Sequence, residues 1–165
     1  MSQTRGVLFI HSAPSAVCPH IEWAIAAAIG VPVNLDWANQ PAQRATQRAE
    51  FVWSGPAGTA AKIASTLAGW GSLRFEITEE PCRNSDGQRY SFTPSLGLFS
   101  AQTSADGDIV VNENRLRGAV AAAALKGIDA ADLIGDLLGT RWDDELEVFR
   151  YAGEGAPVRW LTNAV

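Results

Sequence analysis

The stretch Gly6–Gly30, GVLFIHSAPSAVCPHIEWAIAAAIG, reads as a buried strand, a tight loop and a helix. Val7-Leu8-Phe9-Ile10 is a continuous apolar run, which suits a strand covered on both faces. Pro14 excludes continuation as a helix through the loop that follows. Pro19 suits the first position of a helix, because its missing N–H has no helical partner there. Ile21, Ala24, Ile25, Ala28 and Ile29 then repeat at helical spacing, and Gly30 supplies a left-handed end. On this reading Cys18 is the N-cap and His20 lies in the first turn. The stretch holds both histidines of the chain, His11 and His20, and one of its two cysteines.

Working outward, Val31-Pro-Val33-Asn-Leu35-Asp-Trp37 alternates apolar and polar residues and predicts a half-buried strand. A polar loop around Pro41 leads to a second such strand, Arg48–Trp53. Gly55-Pro-Ala-Gly58 breaks the chain, and Thr59 is placed to cap a helix whose apolar face is Ala60, Ile63, Ala64, Leu67 and Ala68. Leu73–Thr78 alternates again. The order β-α-β-β-α-β is the split βαβ, or ferredoxin-like, pattern. It predicts strands one and two parallel, strand three between them, and strand four antiparallel to strand one on its other side. Cys18 and Cys82 then lie at opposite sheet positions, too far apart for the Cα separation of about 7 Å that a disulfide allows.

Beyond residue 80, Tyr90–Thr93 and Leu96–Phe99 read as strands interrupted at Pro94, and Ala105-Asp-Gly107 as a hairpin turn before Ile109–Val111. Three helices follow, capped by Asn112 or Asn114, by Asp129 and by Thr140. The last of them turns Trp142, Leu146 and Phe149 inward. Pro157–Leu161 reads as a final strand. The fold expected is therefore α+β: a single domain over 1–165, with a ferredoxin-like half over 1–80. A C-terminal β-hairpin and helical extension over 88–165 packs on the sheet, because strand one needs cover on both faces.

At 165 residues the chain is long enough for one core, and 47% hydrophobic with 19% charged residues is ordinary globular composition. A net charge of −5 argues against nucleic-acid binding, which needs a basic surface to displace counterions. The positions expected to face solvent on the sheet, Asn34, Asp36, Glu50 and Glu76 against Arg48 and Arg74, give no basic platform either. Two cysteines do not make a disulfide framework and fit a reduced, cytoplasmic setting. The first residues carry no apolar signal region, and no run is long enough to span a membrane.

Three stretches resemble one family along nearly the whole chain: GVLFIHSAPSAVCPHIEWA, RYSFTPSLG and GTRWDDELEVFRYAGEGAPVRWL. They are similar to an actinobacterial family catalogued as domain of unknown function 3145. The resemblance implies no reaction, ligand or cofactor, and Cys82 belongs to none of the matching stretches.

Chemistry has few places to reside. A thiol at a helix start, as expected for Cys18, sits beside free N–H groups and the positive dipole end, which favour the thiolate. His20 or His11 nearby would serve as base or ion-pair partner, so Cys18, His20 and His11 are the candidate catalytic residues. The plainer reading is a small capping cysteine with histidines bonded to loop backbone. The same three side chains are usable metal ligands, but a fourth at familiar spacing is lacking, and no metal site is assigned. Ser12, Trp23 and Trp37 are the candidate ligand contacts. The acidic run Asp143–Glu147 reads as carboxylates offsetting a helix dipole, and lacks the spacing of a calcium loop. Gly55–Thr59, before the second helix, is a weak anion candidate. With no triad, metal motif or nucleotide loop, the expectation is a non-catalytic binding or adaptor module for a protein partner or small metabolite, without cofactor. Its site lies near His11, Cys18, His20 and Trp37. The alternative is a small thiol-dependent enzyme.

Overall fold

The strand read at Gly6–Ile10 is longer than its apolar run: in the computed structural model, which describes residues 2–152, β1 spans Gln3–Pro14 and lies inside the sheet. Its neighbours are β3 (Thr46–Pro56) and β4 (Arg74–Glu79), each antiparallel to it. Strand order is β2-β3-β1-β4-β5-β6-β7, with β2 (Ala38–Asn39), β5 (Gly87–Thr93), β6 (Gly97–Thr103) and β7 (Ile109–Val110). All pairings are antiparallel. Five α-helices complete the α+β architecture of the described residues: α1 (Cys18–Ile29), α2 (Thr59–Ala68), α3 (Glu113–Lys126), α4 (Ala130–Leu138) and α5 (Thr140–Tyr151). The expected strand at Pro157–Leu161, and Trp160 with it, lie outside the described residues.

Alternation along β1 sends Leu8 and Ile10 to one face and Phe9 and His11 to the other. The first face carries the main core. There Leu8, Ile10, Trp53, Phe75 and Ile77 meet Ile21 and Ile25 of α1 and Ile63 and Leu67 of α2. Each such aliphatic side chain contributes roughly 1.5–3 kcal/mol on burial. The second face is covered by α5, whose Leu146 and Phe149 point inward as their spacing predicts.

Two readings need correction. Residues 31–37 are not a strand, and only Ala38–Asn39 pair with Arg48 and Gln47. Leu35 is buried and Trp37 packs against the core as the alternation implies, but the carboxylate of Glu22 takes their donors in place of a ladder. Its Oε1 accepts from Leu35 N (2.8 Å) and Trp37 Nε1 (3.0 Å). The periodicity recorded one-sided burial, which an extended segment tied to a helix shares with a strand. Second, Cys18 is not the N-cap: a 3-10 turn at Ser15–Val17 feeds α1, Val17 occupies the cap and Cys18 is the first helical residue.

Of the other helix starts, two follow the sequence and two do not: Thr59 and Thr140 are the first helical residues of α2 and α5, behind Gly58 and Gly139, and neither side chain caps its helix. Asn112 and Asp129 cap α3 and α4, their side chains accepting from Asn114 N and Ala131 N. Gly139, left-handed at φ 78°, ends α4 and opens α5. A Cβ there would also lie 2.7 Å from the Phe99 ring, so no other residue suits both demands. At α2 the cap comes from elsewhere. Glu79, at the end of β4, accepts from Gly58 N (2.7 Å) and Ala60 N (2.9 Å), while the Thr59 hydroxyl donates to Pro56 O (2.7 Å). Both cysteines are free thiols.

Candidate functional site

The polar groups of the chain concentrate where α5 crosses the second face of the sheet. Glu76, paired with Phe9 across β1 and β4, has no exposed surface. Its Oε2 accepts from His11 Nε2 (2.6 Å) and Arg150 Nε (2.9 Å). Its Oε1 accepts from Arg150 Nη2, from Arg89 Nη2 (3.3 Å) and from Ser91 Oγ (3.4 Å). Both guanidiniums continue to Asp143 Oδ1, at 3.1 Å from Arg89 and 2.7 Å from Arg150. Asp143, with 40% of its side chain exposed, connects the cluster to the surface.

Two carboxylates thus face two guanidiniums, and every lone-pair direction of Glu76 is taken. Burial alone would raise the Glu76 carboxyl. The hydrogen bond and charge of His11, then those of Arg150, outweigh it and hold the group well below the usual carboxylate range. For Arg150 burial works the other way and is again outweighed, by Glu76 first and Asp143 second. An ionised Glu76 has no proton to give, so His11 Nε2 carries the hydrogen of their bond. His11 Nδ1 is buried without a hydrogen-bond partner among the described residues.

Beside this cluster, Gln40 Nε2 donates to His11 O (2.6 Å) and Phe149 O (3.3 Å), tying the end of α5 to β1. Arg74 lies over the Phe149 ring, 4.5 Å from its centroid, and bonds Ser12 Oγ (3.3 Å) and Gln43 Oε1 (3.0 Å). A fully ionised carboxylate held by charged donors is neither a base nor an accessible nucleophile. Chemically this arrangement is a clamp that fixes α5 on the sheet.

The candidate catalytic residues occupy three different surroundings. His11 is buried in the clamp, its ring 4.9 Å from that of Phe9. Cys18 lies across the sheet, in the core with Leu8 and Ile10, its Sγ 3.7 Å from Pro14 O. His20 is exposed and meets the Trp23 ring edge-on at 5.0 Å. Of the candidate ligand contacts, Ser12 is buried against Arg74, Trp37 is bonded to Glu22, and Trp23 is 66% exposed. Among the described residues no three histidines, cysteines or carboxylates gather as metal ligands. The anion candidate at Gly55–Thr59 is filled by Glu79.

Burial first, and the Glu22 charge second, push the Cys18 thiol above its ordinary 9.0. In a Cys82→Ser background, alkylation of Cys18 by iodoacetamide is therefore expected to run at least about tenfold slower in the folded chain than in urea, rising only above pH 9. A titration midpoint below about 8.5 in the folded protein would show an activated thiol instead.

Sequence reasoning missed Glu76, Arg89, Asp143, Arg150 and Gln40. A signal for some of them exists. Asp143, Leu146 and Arg150 fall at spacings of three and four on the inward stripe of α5, and charges on an apolar stripe mark a buried pair.

A cleft of about 390 Å³ opens beside Arg89 of the clamp, lined also by Gly6, Val7, Thr78, Thr103 and Asp106 among others. None of the candidate residues lines it. No helix among the described residues is long and apolar enough to cross a membrane. A family model described as protein of unknown function (DUF3145) matches residues 7–163. No curated protein and no solved structure matches the chain.

Proposed function

The chain belongs to this family of unknown function, DUF3145, whose description names no reaction, and we propose on physical grounds that it is a non-catalytic module that binds another protein. The core of that reading is ferredoxin-like: the order β2-β3-β1-β4 with α1 and α2 on one face supports it, although β2 is reduced to two residues. The setting is the reducing cytoplasm, where both thiols stay free.

One observation carries the proposal. The solvent side of α1 presents Pro19, His20, Trp23 and Ala27, with Trp23 66% exposed. Glu22 is the only charged residue of α1, and its carboxylate is engaged by Leu35 and Trp37. A helix apolar on its outer as well as its inner side lacks the solvated face of an ordinary surface helix. Tryptophan is the residue most enriched where interfaces concentrate their binding energy. The partner that fits offers an apolar groove containing a hydrogen-bond acceptor, since the exposed indole and imidazole both bring N–H donors.

The test is affinity capture from a lysate of the native host with quantitative mass spectrometry, comparing wild type, Trp23→Ala and Cys18→Ala. A specific partner is expected with wild type and with Cys18→Ala, and recovery with Trp23→Ala should fall by about tenfold or more, the effect of removing an interface anchor. Equal recovery with Trp23→Ala removes α1 as the docking surface. Loss with Cys18→Ala alone, the fold intact by circular dichroism, would favour the thiol.

A further inference from the structure

At its start β3 is paired on both sides. β2 takes Gln47 and Arg48, and Gln40 N donates to Thr46 O (3.0 Å), which fixes the parity: even-numbered residues of β3 point their backbone groups away from β1. Val7 agrees, since its N–H turns to Thr78 of β4 and so leaves Val52, opposite it on β3, facing outward. The N–H and C=O of Val52 and Ser54 meet no backbone partner among the described residues, and Val52 is 60% exposed. A free edge of this kind is a template for another strand.

The residues before β2 are patterned to fill it. Carried on from Ala38 and Arg48, the register of β2 sets Trp37 against Ala49, Asp36 against Glu50, Leu35 against Phe51 and Asn34 against Val52. Trp37, Leu35 and Val33 already belong to one core cluster with Ala49, Phe51 and Trp53, while Asn34 and Asp36 are exposed. Pairing would therefore need no register slip and no change of face. Pro32, without an N–H, would end it.

Two features hold the segment away. Glu22 of α1 accepts from Leu35 N and Trp37 Nε1, which draws it toward the helix. Pairing would also set Asp36 directly opposite Glu50, two carboxylates on one face, and like charges so placed destabilise a ladder. Instead Asp36, Ala38, Ala49 and Glu50 line a cleft of about 110 Å³. Arg48 lines it too and forms no ion pair with either carboxylate among the described residues. We infer that residues 33–37 are a strap poised to close: once the opposition of Asp36 and Glu50 is relieved, β2 lengthens along β3, and Asn34 and Val52 exchange backbone hydrogen bonds. Open, Val52 and Ser54 can take an extended segment of another chain; closed, the sheet is covered by its own residues.

Amide hydrogen exchange of the full chain, resolved by NMR, tests this. In wild type the Val52 amide should exchange at least about tenfold faster than that of Phe51, which points to β1. Asp36→Lys turns the opposed pair into an attracting one. It should slow Val52 by about fivefold or more and leave Phe51 unchanged. Adding Glu50→Lys restores like charges and should return Val52 to the wild-type rate, which separates closure from any general effect of the substitutions on folding. A Val52 amide as slow as Phe51 in wild type overturns the inference, as does an Asp36→Lys rate equal to wild type or a double variant as slow as the single one. Exchange reads the strap directly, whether or not α1 binds a partner.

Discussion

Glu76→Gln is expected to cost about 3–5 kcal/mol of folding stability, which for a chain of this size lowers the thermal midpoint by roughly 10 °C. The replacement has nearly the same shape, so little of the effect comes from packing. It removes the charge that faces Arg150, Arg89 and His11 in a site where Glu76 itself has no exposed surface. The amide nitrogen of glutamine would also point a donor at donors. Asp143 remains, but it touches the guanidiniums from the surface side and cannot replace a carboxylate bonded by both of them and by the imidazole. Thermal and urea unfolding of wild type and variant measure the difference. A loss below about 1 kcal/mol would mean that water reaches the clamp and screens it, as at an exposed pair.

The same group sets a pH dependence. Glu76 is depressed in the folded chain, from an ordinary value of 4.5, so folding is stabilised by its ionisation wherever the unfolded chain would keep it charged. That contribution is complete above about pH 4.5 and is lost progressively as pH falls from there towards the lowered folded value. Below the unfolded value the unfolded state binds the proton that the native state refuses. Glu76→Gln should therefore remove part of the acid-side slope of stability while leaving the neutral plateau flat.

The contrast between what the residues announced and what they concealed has one physical source. Periodicity reports which side of an element is dry. That is why the apolar stripe of α5 and the strand stretches on either side of Pro94 were legible, and capping chemistry marked Asn112 and Asp129. It does not report what satisfies the backbone, so residues 31–37 read as a strand when Glu22, thirteen residues before Leu35, was taking the donors. Nor does it distinguish a polar residue facing water from one facing a polar partner. Glu76 alternates with Phe75 and Ile77 as a solvent-side residue does, and it is buried because α5 brings Arg150 across from seventy-four residues away. Composition alone could not expose that pairing. β4 also read as the edge of a four-stranded sheet, and it becomes an inner strand only because β5 pairs along it.

Gly6→Ala is expected to cost about 3 kcal/mol or more, at or beyond the upper end of what an added methyl group inflicts on a packed interior. A Cβ at Gly6 would stand 1.8 Å from the carbonyl oxygen of Thr78 and 2.8 Å from the Trp53 ring. The first contact is with backbone, which no rotamer change can relieve, so β1 and β4 must separate at this point. Trp53, 2% exposed, has little room to retreat. The local hydrogen bonding already shows the crowding: Val7 N donates to the Thr78 hydroxyl at 3.2 Å, and pairing resumes at Arg5 through Glu80 N (2.8 Å). Gly118→Ala provides the opposite case in the same protein. Gly118 lies inside α3 with nothing within 4 Å of its added Cβ, so the alanine should stabilise by about 0.5–1 kcal/mol through backbone entropy. Paired urea titrations read both signs. If Gly6→Ala proved as mild as Gly118→Ala, the first residues of β1 would not be held against β4, and the cleft that Gly6 and Thr78 line would lose its wall.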